Sequence, residues 1–475
     1  MDMRPAKIAI YIWITIALLG AVCWLVPKDG WKIGEYTLRW PTLAEVLEIY
    51  DATPDSININ MSDSLLLAQI ELSDDSIPST TNETSTEVKN DSTSSSNTTN
   101  VPKETAVHTV TDTRDYLFAF YQALDSTHEK AIRVIHYGDS QIEEDRITNI
   151  LREHWQNTYG GGGAGLLPLH QTIPTRTIRQ TLSFNGNIQT TQGGPKRYLI
   201  YGPRNMRQES NLYGVMGQVA IMDNDLVAGS EEMVMRIDPY DNSNKKHHSF
   251  NQLRLLSDNI SGTIHTKDSI ISIHANEITT LPNNITRCEI HLQGKGAVYG
   301  VSLETDKGVI VDNIPMRGCS GNIFTRIDSA QLSSFYQSTN TRLIILQFGG
   351  NMIPQTENTS TINGYVKTLR QQIRYLRTCA PQASILFIGP SDMSTRIDGE
   401  MTTYPLIPYL DKLLALMAEQ EKIAYWSMYN AMGGYNSMVR WQESGLAGSD
   451  YVHFTRAGAN KVGKMIVEWF EGGKD

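Results

Sequence analysis

The hydrophobic period of this chain switches from helical to strand-like and back, and each switch narrows what the chain can fold into. Short apolar runs at 343–347 (LIILQ), 384–388 and 423–427 alternate with helical patterns near 361–379 and 406–422. In the first of these helices Ile362, Val366, Leu369, Ile373 and Leu376 recur on one face. An earlier run, 131–137 (AIRVIHY), is followed by helical spacing at Ile142, Ile147, Ile150, Leu151 and Trp155. Buried strands alternating with amphipathic helices predict a parallel sheet covered on both faces, a three-layer α/β domain.

Between the two α/β stretches the period is two. Segments 217–222, 232–237, 252–256, 269–274, 287–292 and 297–303 alternate apolar with polar residues between Asn, Asp, Gly and Pro signals, and helical patterns nearly vanish. They predict an inserted all-β domain, a sandwich or jelly roll. A loop of such length without structure of its own would be far beyond the usual limit of about 15 residues. The predicted division is 113–168 and 308–475 for the α/β domain and 169–307 for the insert, entered through the glycine run 160–165 (GGGGAG). If the insert only presents a large substrate, its excision is expected to leave hydrolysis of a small ester within about tenfold of the parent.

Four strings carry chemistry. Gly138-Asp139-Ser140-Gln141 follows the 131–137 run, so Ser140 stands at the carboxyl end of a strand, where open α/β sheets bind ligands. Ser140 and Glu143 also fit a capping box, which needs no catalysis. Asp450-Tyr451-Val452-His453 precedes Thr455, a candidate N-cap for a last helix over about 456–470. A carboxylate three residues before a histidine on such a loop can accept from Nδ1–H while Nε2 faces a serine. Arg317-Gly318-Cys319-Ser320-Gly321-Asn322 follows a strand-like segment at 308–312, and Phe348-Gly349-Gly350-Asn351 follows 343–347. Asn351 could donate its side-chain amide to an oxyanion.

A Gly-Asp-Ser block, a glycine block, a Gly-x-Asn block and an Asp-x-x-His block in this order resemble the SGNH, or GDSL-type, hydrolase superfamily, over residues 131–159 and about 308–470. The resemblance implies Ser140 as nucleophile, His453 as general base and Asp450 as its orienting partner. It implies an oxyanion hole of Ser140 N–H, Gly321 N–H and Asn351. Gln141 stands where the first block usually has leucine, and Met352 where the third often has aspartate. The Gly-x-Ser-x-Gly elbow of α/β-hydrolases is absent around Ser140.

Net charge is −10 with a pI near 5.6, which argues against a nucleic-acid partner. Of four cysteines, Cys23 lies in the N-terminal apolar run, and the spacing of Cys288, Cys319 and Cys379 matches no zinc motif, so they read as buried small hydrophobes. Neither metal nor cofactor is expected. Residues 8–27 are uncharged and mostly apolar, long enough to cross a bilayer, and 1–28 reads as a signal anchor. Within the segment 29–112 that follows, 17 of the 22 residues from Ser79 to Asn100 are Ser, Thr or Asn, the composition of a disordered tether. The expected location is single-pass in a bacterial inner membrane, with the catalytic domain on the periplasmic side.

An interrupted catalytic domain with a β insert is similar to the peptidoglycan O-acetylesterase branch of the superfamily. That resemblance implies an acetylated glycan as substrate. A sugar hydroxyl in place of water would make the same site an O-acyltransferase. The four strings are also compatible with a lipase or short-chain esterase, or with a glycan-binding protein that keeps a vestigial site. All eight tryptophans lie outside residues 156–425, so the insert lacks a Trp platform for sugars. Tyr198, Tyr201, Tyr213 and Phe250 could stand in for one, and Trp441 could line an acyl pocket.

Overall fold

The computed structural model describes residues 112–171, 173–184, 187–188, 195–208, 210–222, 233–240 and 245–472, together with two short strands near the amino terminus. These are β1 (Trp31–Ile33) and β2 (Tyr36–Leu38), an antiparallel pair with Trp31 opposite Leu38. The expected anchor at 8–27 and tether at 79–100 lie outside the described residues. Among the described residues no helix is long and apolar enough to cross a membrane.

Five parallel strands form the centre of the α/β domain: β3 (Ala131–Gly138), β14 (Gly308–Pro315), β15 (Thr341–Gln347), β16 (Ser384–Ile388) and β19 (Ala424–Trp426). A separate antiparallel pair, β17 (Ser394–Ile397) and β18 (Glu400–Thr403), follows β16 in the chain. The spatial order of the five is β14-β3-β15-β16-β19. Counted along the chain this is 2-1-3-4-5, the flavodoxin-like winding, and its switch point falls between β3 and β15. The strands are buried along nearly their whole length, as both faces are covered. Leu343 and Ile345 point into a core with helices Phe118–Asp125, Thr148–Tyr159 and Arg456–Glu471, where Trp155 packs edge-on against Phe120 and Phe470 at 5.6 and 5.1 Å. Ile344 and Leu346 point the other way, toward helices Ser329–Ser338, Thr359–Cys379 and Ile407–Gln420. Helix Thr359–Cys379 begins where Asn358 accepts from Thr361 N–H at 3.0 Å. The five apolar residues recognised on its sequence are all buried, each side chain contributing roughly 1.5–3 kcal/mol.

The insert occupies the first crossover, between helix Thr148–Tyr159 and β14. Its strands are β4 (Gly165–Leu167), β5 (Ile178–Phe184), β6 (Asn187–Ile188), β7 (Lys196–Leu199), β8 (Gln218–Met222), β9 (Met233–Pro239), β10 (Phe250–His265), β11 (Ile270–Ile273), β12 (Ile278–Ile285) and β13 (Cys288–Glu304). All ten are joined in one branched, hydrogen-bonded antiparallel network. The long partners β10 and β13 make this possible. Their pairing shifts register between Leu256 and Ser257 and again between Asp258 and Ile260, and successive stretches of β13 pair with β9, β8 and β4. Bulges bend and twist strands, so the two ends of each long strand serve different neighbours around one apolar cluster that includes Leu167, Ile237, Leu255, Ile264, Ile290 and Val301. Sequence patterning divides β13 into 287–292 and 297–303 because Gly294 and Gly296 look like turn signals. The second glycine instead admits the partner strand: a Cβ on Gly296 would lie 2.0 Å from Asp258 O.

The insert and the α/β sheet are closely joined. β4 pairs with Val301, Ser302 and Leu303 of β13, so the insert begins at Gly165, inside the glycine run. A Cβ on Gly165 would sit 2.3 Å from Asp312 Oδ1, and its φ of +74° is strained for other residues. Arg133 of β3, 1% exposed, donates to both carboxylate oxygens of Asp312 at 2.7 and 2.8 Å, and to Ser302 Oγ at 3.1 Å and Glu304 Oε1 at 2.5 Å. One buried guanidinium therefore binds carboxylates from β14 and β13, the α/β sheet and the insert together.

Candidate active site

Ser140 lies just past the carboxyl end of β3, in a short 3₁₀ segment rather than the first turn of an α-helix. Glu143 is extended and Glu144 left-handed (φ 59°), so the α-helix starts only at Thr148. The capping box does not form. Asp139 caps the segment by accepting from Gln141 N–H at 2.9 Å, and Glu143 turns to Arg317, which donates to its two oxygens at 2.6 Å each. Ser140 Oγ is thereby left for His453, 2.9 Å from Nε2.

On the other side, Thr455 caps helix Arg456–Glu471 and the preceding loop carries the base. Asp450 accepts from Val452 N–H and His453 N–H, both at 3.0 Å, and its other oxygen meets His453 Nδ1 at 2.7 Å. Burial works against ionisation, but the hydrogen bonds from the His453 side chain and from both backbone N–H groups hold Asp450 below its usual carboxylate value. The tautomer that satisfies both contacts carries its proton on Nδ1, leaving Nε2 to accept from Ser140. The arrangement can move a proton from a serine to an imidazole and hold the resulting cation against a carboxylate.

These residues open onto a 550 Å³ cleft lined by Ser140, His453, Asn351, Gly318, Pro390 and Met393 among others. Asn351 Nδ2 donates to Asp139 Oδ2 at 3.2 Å and to Cys319 O at 3.1 Å, contacts it could exchange for an oxyanion. Gly321 is placed differently from the sequence expectation. Its N–H donates to Cys319 Sγ at 3.3 Å, and Gly318 is the glycine of that loop on the cleft wall. Trp441 is core: it is buried, donates to Met432 O at 3.1 Å and packs on Phe454. Phe250 and Tyr213 are buried too. Among the described residues no cluster of three His, Cys, Asp or Glu is arranged to hold a metal ion.

Two positioning residues carry no clear mark in the sequence. Gln141, visible there only as a departure from leucine, donates through Nε2 to Val452 O at 2.6 Å and so ties the serine turn to the histidine loop. Arg146 donates to Ser140 O at 2.7 Å, Glu143 O at 3.1 Å and Phe454 O at 3.2 Å. Backbone carbonyls have no sequence signature, so nothing identifies these partners in advance.

Beneath the cleft, burial pushes the Asp139 carboxyl up to about 6 from an ordinary 3.8, against the hydrogen bond from Gln141 N–H and the attraction of His453. The folded chain then binds this proton more tightly than the unfolded chain, so stability falls as pH rises from about 4 to about 6. Asp139→Asn removes that titration. Thermal melts across pH 4–7 should show the variant gaining on the parent through this window; a constant offset between the two would exclude Asp139 as the source.

No protein-family model matches the chain, and no curated protein matches it. A solved peptidoglycan O-acetylesterase is similar, with a TM-score of 0.58 and 20% identity over 75% of this chain and 95% of its own. An acetyl xylan esterase (TM-score 0.28, 14% identity, 34% of this chain and 80% of its own) is more distant. So is the periplasmic domain of a Salmonella ser. Paratyphi A lipopolysaccharide acetyltransferase (0.24, 13%, 34% and 71%). The first likeness shows the fold: this chain has an SGNH-like hydrolase fold.

Proposed function

We propose that this chain is a serine esterase that removes O-acetyl groups from a cell-envelope glycan, with peptidoglycan the favoured polymer. The observation that carries the reading is the unbroken relay Ser140–His453–Asp450, with contacts of 2.9 and 2.7 Å, at the carboxyl end of the sheet. In this mechanism His453 Nε2 takes the Ser140 proton as Oγ attacks the acetyl carbonyl. Ser140 N–H and the Asn351 amide stabilise the oxyanion, with a backbone N–H of the 317–322 loop. His453 returns the proton to the departing sugar oxygen, and water, deprotonated by the same imidazole, releases acetate. The choice of an acetylated glycan draws on the solved O-acetylesterase with the same fold. On this reading residues 8–27 hold the enzyme at the outer side of a bacterial inner membrane, and deletion of 1–28 should release it from the membrane fraction.

Acetate release from O-acetylated peptidoglycan, together with kcat/KM for chromogenic acetyl and octanoyl esters, tests the proposal. Acetyl should be the better small substrate. A higher kcat/KM for octanoyl would redirect the reading to a lipase.

A further inference from the structure

Between Ser140 and helix Thr148–Tyr159 the backbone takes a strained path. Glu144 and Asp145 are both left-handed, at φ 59° and 64°, and neither is glycine. Aspartate tolerates this conformation, but a glutamate adopts it only where its surroundings hold it there. Strain of this kind concentrates at active sites, and the turn begins four residues after Ser140.

The effect is felt at the next residue. Two left-handed residues reverse the chain, so Arg146 runs back toward the turn it has just left: its N–H donates to Glu143 O at 3.2 Å, and its guanidinium donates to Ser140 O at 2.7 Å and Glu143 O at 3.1 Å. The same guanidinium reaches Phe454 O, one residue past His453, at 3.2 Å. One side chain thus ties the serine turn to the histidine loop, and its direction is set by Glu144 and Asp145.

The groups that hold this pair come from the insert. Arg176 and Thr177 directly precede β5, whose first residue, Ile178, pairs with Pro239 of β9. Arg176 N–H donates to Glu144 O at 3.1 Å, and its guanidinium donates to Glu144 Oε2 at 3.1 and 3.3 Å. Thr177 Oγ1 donates to Asp145 Oδ2, which also accepts from Arg152, and none of these three residues is more than 1% exposed. The Arg176 ion pair is partly in solvent and weak by itself. The Thr177 hydroxyl is the firmer grip, because its loss would leave a buried carboxylate oxygen with one partner fewer.

We propose that Arg176 and, above all, Thr177 are positioning residues for Ser140: the insert holds Glu144 and Asp145 in the left-handed turn that aims Arg146 at the serine turn and the histidine loop. The catalytic domain is then incomplete without the insert, even toward a substrate too small to touch it. The effect on rate rests on the esterase reading, whereas the holding of the turn does not.

Kinetics on a small acetyl ester and hydrogen exchange of amides 140–147, both in the full chain, test the proposal. Thr177→Val keeps the side-chain shape and removes the hydroxyl; kcat should fall about 10- to 100-fold with KM within about twofold, since a small misplacement of a reacting group costs that much. Amides 140–147 should exchange faster in this variant, and Thr177→Ser, which returns the hydroxyl, should restore most of the rate. Adding Glu144→Gly to Thr177→Val makes the left-handed turn free of strain and should regain about fivefold or more in kcat. A role confined to the stability of the insert would give no such recovery. Parental kcat in folded Thr177→Val would overturn the proposal, as would a loss that Glu144→Gly leaves unrelieved or that Thr177→Ser shares in full. If Thr177→Val does not fold, Arg176→Ala, at a partly exposed position, decides: kcat about threefold lower with faster exchange of amides 140–147 supports the proposal, and parental values of both overturn it. Faster exchange in Thr177→Val, with a parent chain that cleaves no ester, would remove the esterase reading and leave the held turn standing.

Discussion

Ser140→Ala and His453→Ala are each expected to lower kcat on a small acetyl ester by about 10⁴- to 10⁶-fold, with the double variant scarcely worse than either. Oγ and Nε2 act on one proton 2.9 Å apart, so removing either partner removes the same step. What survives should be the smaller contribution of binding and oxyanion stabilisation. Asp450→Asn should be milder than either, because the Asp450 side chain is 51% exposed and water can solvate the imidazolium that its charge would otherwise support. Turnover in Ser140→Ala within about tenfold of the parent would exclude the triad. Additive losses in the double variant would mean that serine and histidine serve separate steps.

Arg133→Met is expected to destabilise the whole chain by about 3–5 kcal/mol, since it leaves Asp312 buried without its cation and Glu304 with only the more distant Arg254, at 3.5 Å. Denaturant unfolding at neutral pH measures it. The deficit should shrink on acidification as the stranded carboxylates take up protons, and a loss under about 1 kcal/mol would mean that water reaches the site. The same network reverses the expectation drawn from sequence for the insert. Excising residues 169–307 removes Ser302 and Glu304 from Arg133 and strips β4 of its partner strand. Such a chain should lose small-ester activity through misfolding. A shortened chain that stays folded and keeps activity within about tenfold would restore the insert as a module concerned only with large substrates.

How far the fold could be read in advance follows from the range of the forces involved. Helix Thr359–Cys379 and strand Ser384–Ile388 were legible because a one-sided apolar stripe and an unbroken apolar run are local patterns that burial imposes directly. The insert was legible as β-structure but not in its pairing. Gly294 and Gly296 read locally as a break, whereas in β13 they are positions where the backbone of β10 comes too close for a side chain. Ser140 was ambiguous, since the capping box and the nucleophile use the same hydroxyl. In the fold Glu143 pairs with Arg317, 174 residues away, instead of closing the cap.

By itself the sequence determined which residue types were available for acyl transfer and on which local elements they stand: Ser140 after a buried strand, and Asp450 and His453 three positions apart before a capped helix. Those follow from periodicity and spacing, which act over a few residues. Only the tertiary structure decided that Ser140 and His453 meet across 313 positions, that Gln141 and Arg146 brace the two loops through backbone carbonyls, and that Gly321 N–H turns to Cys319 while Gly318 faces the cleft. It also decided that Arg133 joins the insert to the sheet. Each of these depends on the direction of one donor toward a group brought near by packing, and hydrophobic pattern specifies burial without specifying direction.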